Sequence, residues 1–158
     1  MANDLPSRPA TLHAPRHFGI VASDYNAAYV NGLVENATRE LLQIAPGSTI
    51  TTWRVPGAFE IPLLVQEVAR RGMCDAILAL GVIIEGATAH AALIASTLTQ
   101  SLQQISLQHH IPVIHEVLLV KSEEQARART LEAELNRGLE AARVAARMVE
   151  LLSSLPLC

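Results

Sequence analysis

The sequence predicts an α/β fold in which a four-stranded parallel sheet carries helices on both faces. Three observations lead there. Short β-branched or apolar runs alternate with longer stretches of helical spacing, in the order β-α-β-α-β-α-β-α-α. Such alternation favours right-handed crossovers onto one parallel sheet. The run from Ala76 to Ile84 is almost wholly apolar, as expected of a central strand covered on both sides. Pro46-Gly47 and Gly72 stop the first two helical stretches where a crossover would need to turn.

The elements follow in order. Residues 1–16 carry Pro6, Pro9 and Pro15 and no continuous apolar stretch, so they read as a flexible arm rather than a secretory signal. Residues 17–158 read as a single domain. Phe18 to Ala22 is a short β run. From about residue 27 to 44, Val30, Leu33, Val34, Ala37, Leu41 and Ile44 share one helical face. Thr49 to Val55 is β-branched and ends at Pro56-Gly57. Phe59 to Arg71 is helical, with Ile61, Leu64, Val65 and Val68 inward and Gly72 closing it. After the apolar run comes a helix from about Ala89 to His109, then a strand from Pro112 to Val120. Glu123 to Leu131 and Asn136 to Leu152 are two further helices. The last puts Leu139, Ala142, Ala145, Val149 and Leu152 inward, with Arg143, Arg147 and Glu150 outward.

Composition narrows the function. The chain has 158 residues, 50% hydrophobic and 17% charged, enough for a sizeable core without disulfides. No apolar run is long enough to span a bilayer. The net charge of −3, with no basic cluster, argues against nucleic-acid binding. Cys74 and Cys158 lack metal-ligand spacing and suit a reducing cytoplasm.

In a parallel sheet, ligands bind at the carboxyl ends of the strands, near a topological switch point. Three segments leave strands there: residues 23–26, 56–60 and 86–90. In the last, Gly86-Ala87-Thr88 opens a helix. Small residues and a helix N-terminus can hold a phosphate, or Thr88 can simply cap the helix. His90 can take and return a proton, or be an ordinary surface or interface histidine. In the turn Pro56 to Pro62, Glu60 can grip hydroxyls of a polyol beside the Phe59 ring. Equally, Phe59 can be core and Glu60 a favourable charge at a helix start. Tyr25 is a stacking surface or cover for the sheet end. Arg129 is a solvated helix charge or a forked clamp for phosphate.

Together these residues resemble the lumazine synthases. Val55-Pro56-Gly57-Ala58-Phe59-Glu60-Ile61-Pro62 is similar to that family's most specific motif, and Gly81 to His90 to its strand-loop-helix motif. Pro112-Val113-Ile114, Glu124-Gln125-Ala126 and Asn136-Arg137-Gly138 follow at similar spacing. The resemblance implies a flavodoxin-like three-layer αβα sandwich. It implies condensation of 5-amino-6-(D-ribitylamino)uracil with 3,4-dihydroxy-2-butanone 4-phosphate to 6,7-dimethyl-8-ribityllumazine, in riboflavin biosynthesis. It implies no metal and no organic cofactor. It further implies a homopentamer with active sites between subunits, with decamers and sixty-subunit shells as larger forms, and riboflavin synthase as a companion.

The resemblance also distributes roles. His90 transfers protons, and Ala87, Thr88 and Arg129 hold phosphate. Tyr25 stacks on the pyrimidine, Ala58 and Phe59 meet its edge through backbone, and Glu60 holds the ribityl chain. Val82, Ile83 and Ile84 line the pocket. His115, which stands where an aromatic reaches the neighbour's site, and Arg137, which stands where a lysine is usual, also bind substrate. Glu85, Ala91, Ala92, Glu116 and Ala133 depart from the family pattern. They motivate an alternative: a pentameric or shell-forming paralogue that binds flavin or lumazine with little catalysis.

Overall fold

A computed structural model describes residues 5–87 and 89–156. The strands are β1 (His17–Ser23), β2 (Thr49–Val55), β3 (Ala76–Ile84) and β4 (Val113–Val120). The helices are α1 (Ala27–Ile44), α2 (Ile61–Arg70), α3 (His90–His109), α4 (Glu123–Thr130) and α5 (Arg137–Ser153). All strand pairs are parallel, in the order β2-β1-β3-β4. The chain moves outward from β1 to β2, then crosses back to β3. The switch point therefore lies between β1 and β3. The architecture is the flavodoxin-like αβα sandwich expected from the sequence.

Side-chain alternation explains the two cores. Phe18, Ile20, Leu78 and Leu80 pack under α1 and α5, while Val21, Ile77 and Ala79 pack under α2 and α3. β1 and β3 are buried on both sides, so their sequences carry little polar alternation. Among the described residues no helix is long and apolar enough to cross a membrane.

Helix boundaries have local causes. Gly72 sits at φ 61° just past α2, a left-handed position that favours glycine. Ala58–Glu60 forms a 3-10 turn before α2, where the spacing predicts a helix already running from Phe59. Pro62 explains the late start, since it belongs in a helix's first turn. Ser122 caps α4 by accepting the Gln125 N–H at 3.2 Å.

The junction of α4 and α5 gives physical content to Asn136-Arg137-Gly138. Asn136 Oδ1 accepts the N–H groups of Gly138 and Leu139 at 3.0 and 3.2 Å, and its amide donates to the Thr130 and Glu132 carbonyls at 3.0 and 3.1 Å. Asn136 is fully buried and fully used. A β-carbon on Gly138 would lie 2.4 Å from the Leu33 carbonyl oxygen. One on Gly32 would lie 2.5 Å from the Thr130 carbonyl oxygen. Backbone thus meets backbone where α1 crosses this junction.

Two assignments on α5 differ from expectation. Leu152, placed inward by periodicity, is 41% exposed. The inner stripe is made of Ala141, Ala142, Ala145, Ala146 and Val149, because the close crossing with α1 leaves room only for small residues. Leu152 instead borders a cleft near Cys74 and His109, at the amino ends of the strands. Arg143, placed outward, is only 16% exposed in its side chain and donates to Glu40 Oε1 at 2.8 Å.

That contact belongs to a larger one. Glu40 is 2% exposed and also accepts from Arg8 Nε at 2.8 Å and Nη2 at 2.6 Å. Arg143 Nη1 donates to the Pro6 carbonyl at 2.6 Å, and Leu12 N–H to the Ile44 carbonyl at 2.8 Å. The described part of the arm therefore runs along α1 and α5 without helix or strand of its own.

Candidate active site

A cleft of about 430 Å³ opens at the carboxyl ends of β1 and β3, at the switch point. Three connections supply it. The β1–α1 loop brings Tyr25. The β2–α2 turn brings Gly57, Ala58, Phe59 and Glu60. The end of β3 and the start of α3 bring Val82, Ile83, Ile84, Gly86, His90, Ala91 and Ile94. Of the residues singled out in the sequence, Tyr25, Ala58, Phe59, Glu60, Val82, Ile83, Ile84 and His90 thus share one space.

The chemistry of this space is mixed. One wall is aliphatic, from Val82 to Ile84 and Ile94. Two aromatic rings stand at its mouth, with Tyr25 73% and Phe59 61% exposed. Rings this open to water present a flat apolar face to a planar ligand. The Glu60 carboxylate turns back over the turn, so that a β-carbon on Gly57 would come within 2.9 Å of Glu60 Oε2. Glycine there leaves the carboxylate its place. His90 occupies the first position of α3 and is exposed to the cleft. The arrangement can hold a ring, grip hydroxyls and move a proton.

The remaining described candidates do not line this cleft. Ala87 is exposed in the β3–α3 loop, and Thr88 lies outside the described residues. Arg129 sits in the last turn of α4, half-buried, donating to the Gln125 carbonyl at 3.3 Å. Arg137 is 6% exposed and paired with Glu140. His115 faces α3 from β4, where Thr99 Oγ1 lies 2.8 Å from its Nε2. Burial pulls the His115 imidazole below its ordinary value. On the opposite face of β4, burial first and Glu140's charge second push the Glu116 carboxyl up to about 8, while Arg137 opposes them.

Sequence reading missed Asn26 and Ile94. Ile94 was findable, since it follows His90 by four residues and shares its helix face. Asn26 stands at φ 60° and donates its side-chain amide to the Val82 carbonyl at 2.8 Å. Among the described residues no group of three or more His, Cys, Asp or Glu side chains is placed to hold a metal ion.

Comparison with known proteins adds to this geometry. A sequence model described as 6,7-dimethyl-8-ribityllumazine synthase matches residues 15–153. A Burkholderia multivorans protein named 6,7-dimethyl-8-ribityllumazine synthase is 38% identical over 138 residues, covering 87% of this chain and 78% of that relative. A Chlorobium limicola protein of the same name is 41% identical over 135 residues, covering 85% of this chain and 87% of the relative. Both relatives carry the name of an enzyme.

Proposed function

This chain belongs to the 6,7-dimethyl-8-ribityllumazine synthase family, and from that premise we infer how its cleft serves the family's reaction. The protein is a transferase of riboflavin biosynthesis. It joins 5-amino-6-(D-ribitylamino)uracil to 3,4-dihydroxy-2-butanone 4-phosphate and releases 6,7-dimethyl-8-ribityllumazine, phosphate and water.

In our reading, the uracil ring lies between Tyr25 and the wall of Val82, Ile83 and Ile84. The backbone of Ala58 and Phe59 meets the ring edge, and Glu60 accepts hydrogen bonds from the ribityl hydroxyls. The 5-amino group attacks the ketone, whose oxygen leaves as a first water when the imine forms, and His90 moves the protons this step requires. Phosphate then leaves from the tautomerised chain, held by Ala87, Thr88 and Arg129. The ribitylamino nitrogen closes the second ring on the remaining carbonyl with loss of water. Holding both reactants together supplies much of the acceleration. Stabilising the departing phosphate's charge supplies more.

The observation that carries this reading is the meeting of Tyr25, Glu60, Val82 and His90, from three separate connections, around one ring-sized cleft. The exposure of Tyr25 and Phe59, and the absence of Arg129 and His115 from the cleft's lining, support a site completed by a neighbouring copy. Arg129 and His115 then come from that neighbour in a homopentamer. Arg137, buried beside Glu140 and equally absent from the cleft's lining, comes to the site from the same neighbour. We place the enzyme in the cytoplasm, with Cys74 as a free thiol and riboflavin synthase as its companion.

Mixing purified protein with both substrates and following lumazine fluorescence tests the reaction. Fluorescence should rise as phosphate is released in equal amount. Binding of riboflavin with no product would overturn it in favour of the non-catalytic paralogue.

A further inference from the structure

Asn26 occupies the position that caps α1, yet its side chain makes no capping hydrogen bond. An asparagine there ordinarily satisfies a helix N–H. Its backbone is left-handed, at φ 60° and ψ 40°, a region few residues with a β-carbon adopt. The side chain reaches across the sheet end instead, and its amide donates to the Val82 carbonyl at 2.8 Å. The β1–β3 register ends at Ala22 and Leu80, so β1 offers Val82 no strand partner. Asn26 supplies the donor that a longer β1 would have supplied.

The residue before it needs such a tie. Tyr25 is 73% exposed, so packing does not fix its ring. Its backbone is fixed from two sides. Tyr25 N–H donates to the Pro56 carbonyl at 3.1 Å, and Asp24 N–H to the Val55 carbonyl at 2.8 Å. These bonds hold the loop to the end of β2. The Asn26 amide holds it to the end of β3, at the first residue of the aliphatic wall. Asparagine tolerates this left-handed backbone better than most residues, and here it gives up its cap for a bond to the cleft wall.

We propose that Asn26 is a positioning residue: through its bond to the Val82 carbonyl it sets the gap between Tyr25 and the Val82–Ile84 wall, and so selects a planar substrate of one ring thickness. The proposal rests on the pyrimidine lying between Tyr25 and that wall. The amide itself is committed to Val82 and acts on the substrate only through the two surfaces it joins.

The test uses Asn26→Gly, which tolerates the left-handed backbone and removes the amide, with Asn26→Asp as a second variant that keeps the shape and removes the donor. Wild-type product formation reads the reaction by itself. In Asn26→Gly, KM for the ribitylaminouracil should rise about tenfold, with KM for the ketone phosphate and the melting temperature nearly unchanged. Combining Asn26→Gly with Tyr25→Ala should add little beyond Tyr25→Ala alone, since the tie acts through that ring. Independently of turnover, amide exchange at residues 24–26 and 82–84 should accelerate together in both Asn26 variants. Unchanged exchange at residues 82–84, or a KM effect fully additive with Tyr25→Ala, overturns the proposal. A wild type that makes no lumazine overturns the reaction instead, while the exchange measurement still decides the tie.

Discussion

Thr99 Oγ1 and His115 Nε2 lie 2.8 Å apart, joining α3 to β4. The same hydroxyl donates to the Ala95 carbonyl at 2.8 Å, so toward His115 it accepts. His115 Nδ1 accepts the Val117 N–H at 3.2 Å. The imidazole is thereby held neutral, with its proton on Nε2. Protonating Nδ1 would set two donors against each other.

This geometry makes acid costly. Burial lowers His115 from its ordinary 6.5, so in the window below 6.5 the unfolded chain binds more protons than the folded one. Stability is present above 6.5 and is lost as pH falls through the folded value. Urea midpoints at about pH 7 and pH 5 should therefore differ more for wild type than for His115→Phe. An equal loss in both would refute the neutral lock.

Glu116 runs the other way. Its carboxyl is raised from 4.5 to about 8, so between those values the folded chain binds more protons and stability declines as pH rises. Glu116→Gln cannot ionise. It should match wild type near the lower limit and exceed it increasingly toward the upper one. Thermal melts across that range check the sign, and a variant that loses ground with rising pH would contradict it.

Glu40 joins the arm to the domain by accepting from both Arg8 and Arg143. Glu40→Ala leaves Arg143, a mostly buried cation, without its carboxylate and should lower stability by about 1–2 kcal/mol. Hydrogen exchange at the Leu12 amide, bonded to the Ile44 carbonyl, should quicken in the same variant. Slow exchange there would mean that the arm is held by other means.

Arg129→Ala should lose about 100-fold in turnover, because a departing phosphate would lack its forked donor. His90→Ala should lose less, about tenfold, since water can carry the proton. Steady-state rates with both substrates give the order. A fully active Arg129→Ala would remove the phosphate assignment.

The fold was legible wherever side-chain type alone decided. Thr49–Val55 and Ala76–Ile84 can be bounded from sequence because β-branched and two-sided apolar runs have few other uses. The start of α2 was less legible, since Phe59 and Glu60 suit a 3-10 turn as well as a helix. Glu40 was illegible, because its burial depends on Arg8 and Arg143, far away in sequence. The motif residues from 56 to 62 and 81 to 90 announced the cleft, since small residues, a carboxylate and an imidazole at strand ends have a narrow set of uses. Arg129 and His115 cannot be placed by the same reasoning, because neither shares that cleft within the protomer.

The crossing of α1 over the α4–α5 junction rests on two hydrogens, those of Gly32 and Gly138. A methyl at either would wedge the helices apart and tilt the short helix that carries Arg129. A saturation library would therefore lose nearly every variant at two places that hold no reactive group. Scored by product alone, those losses would imitate catalytic defects; scored by abundance, they would separate cleanly from them.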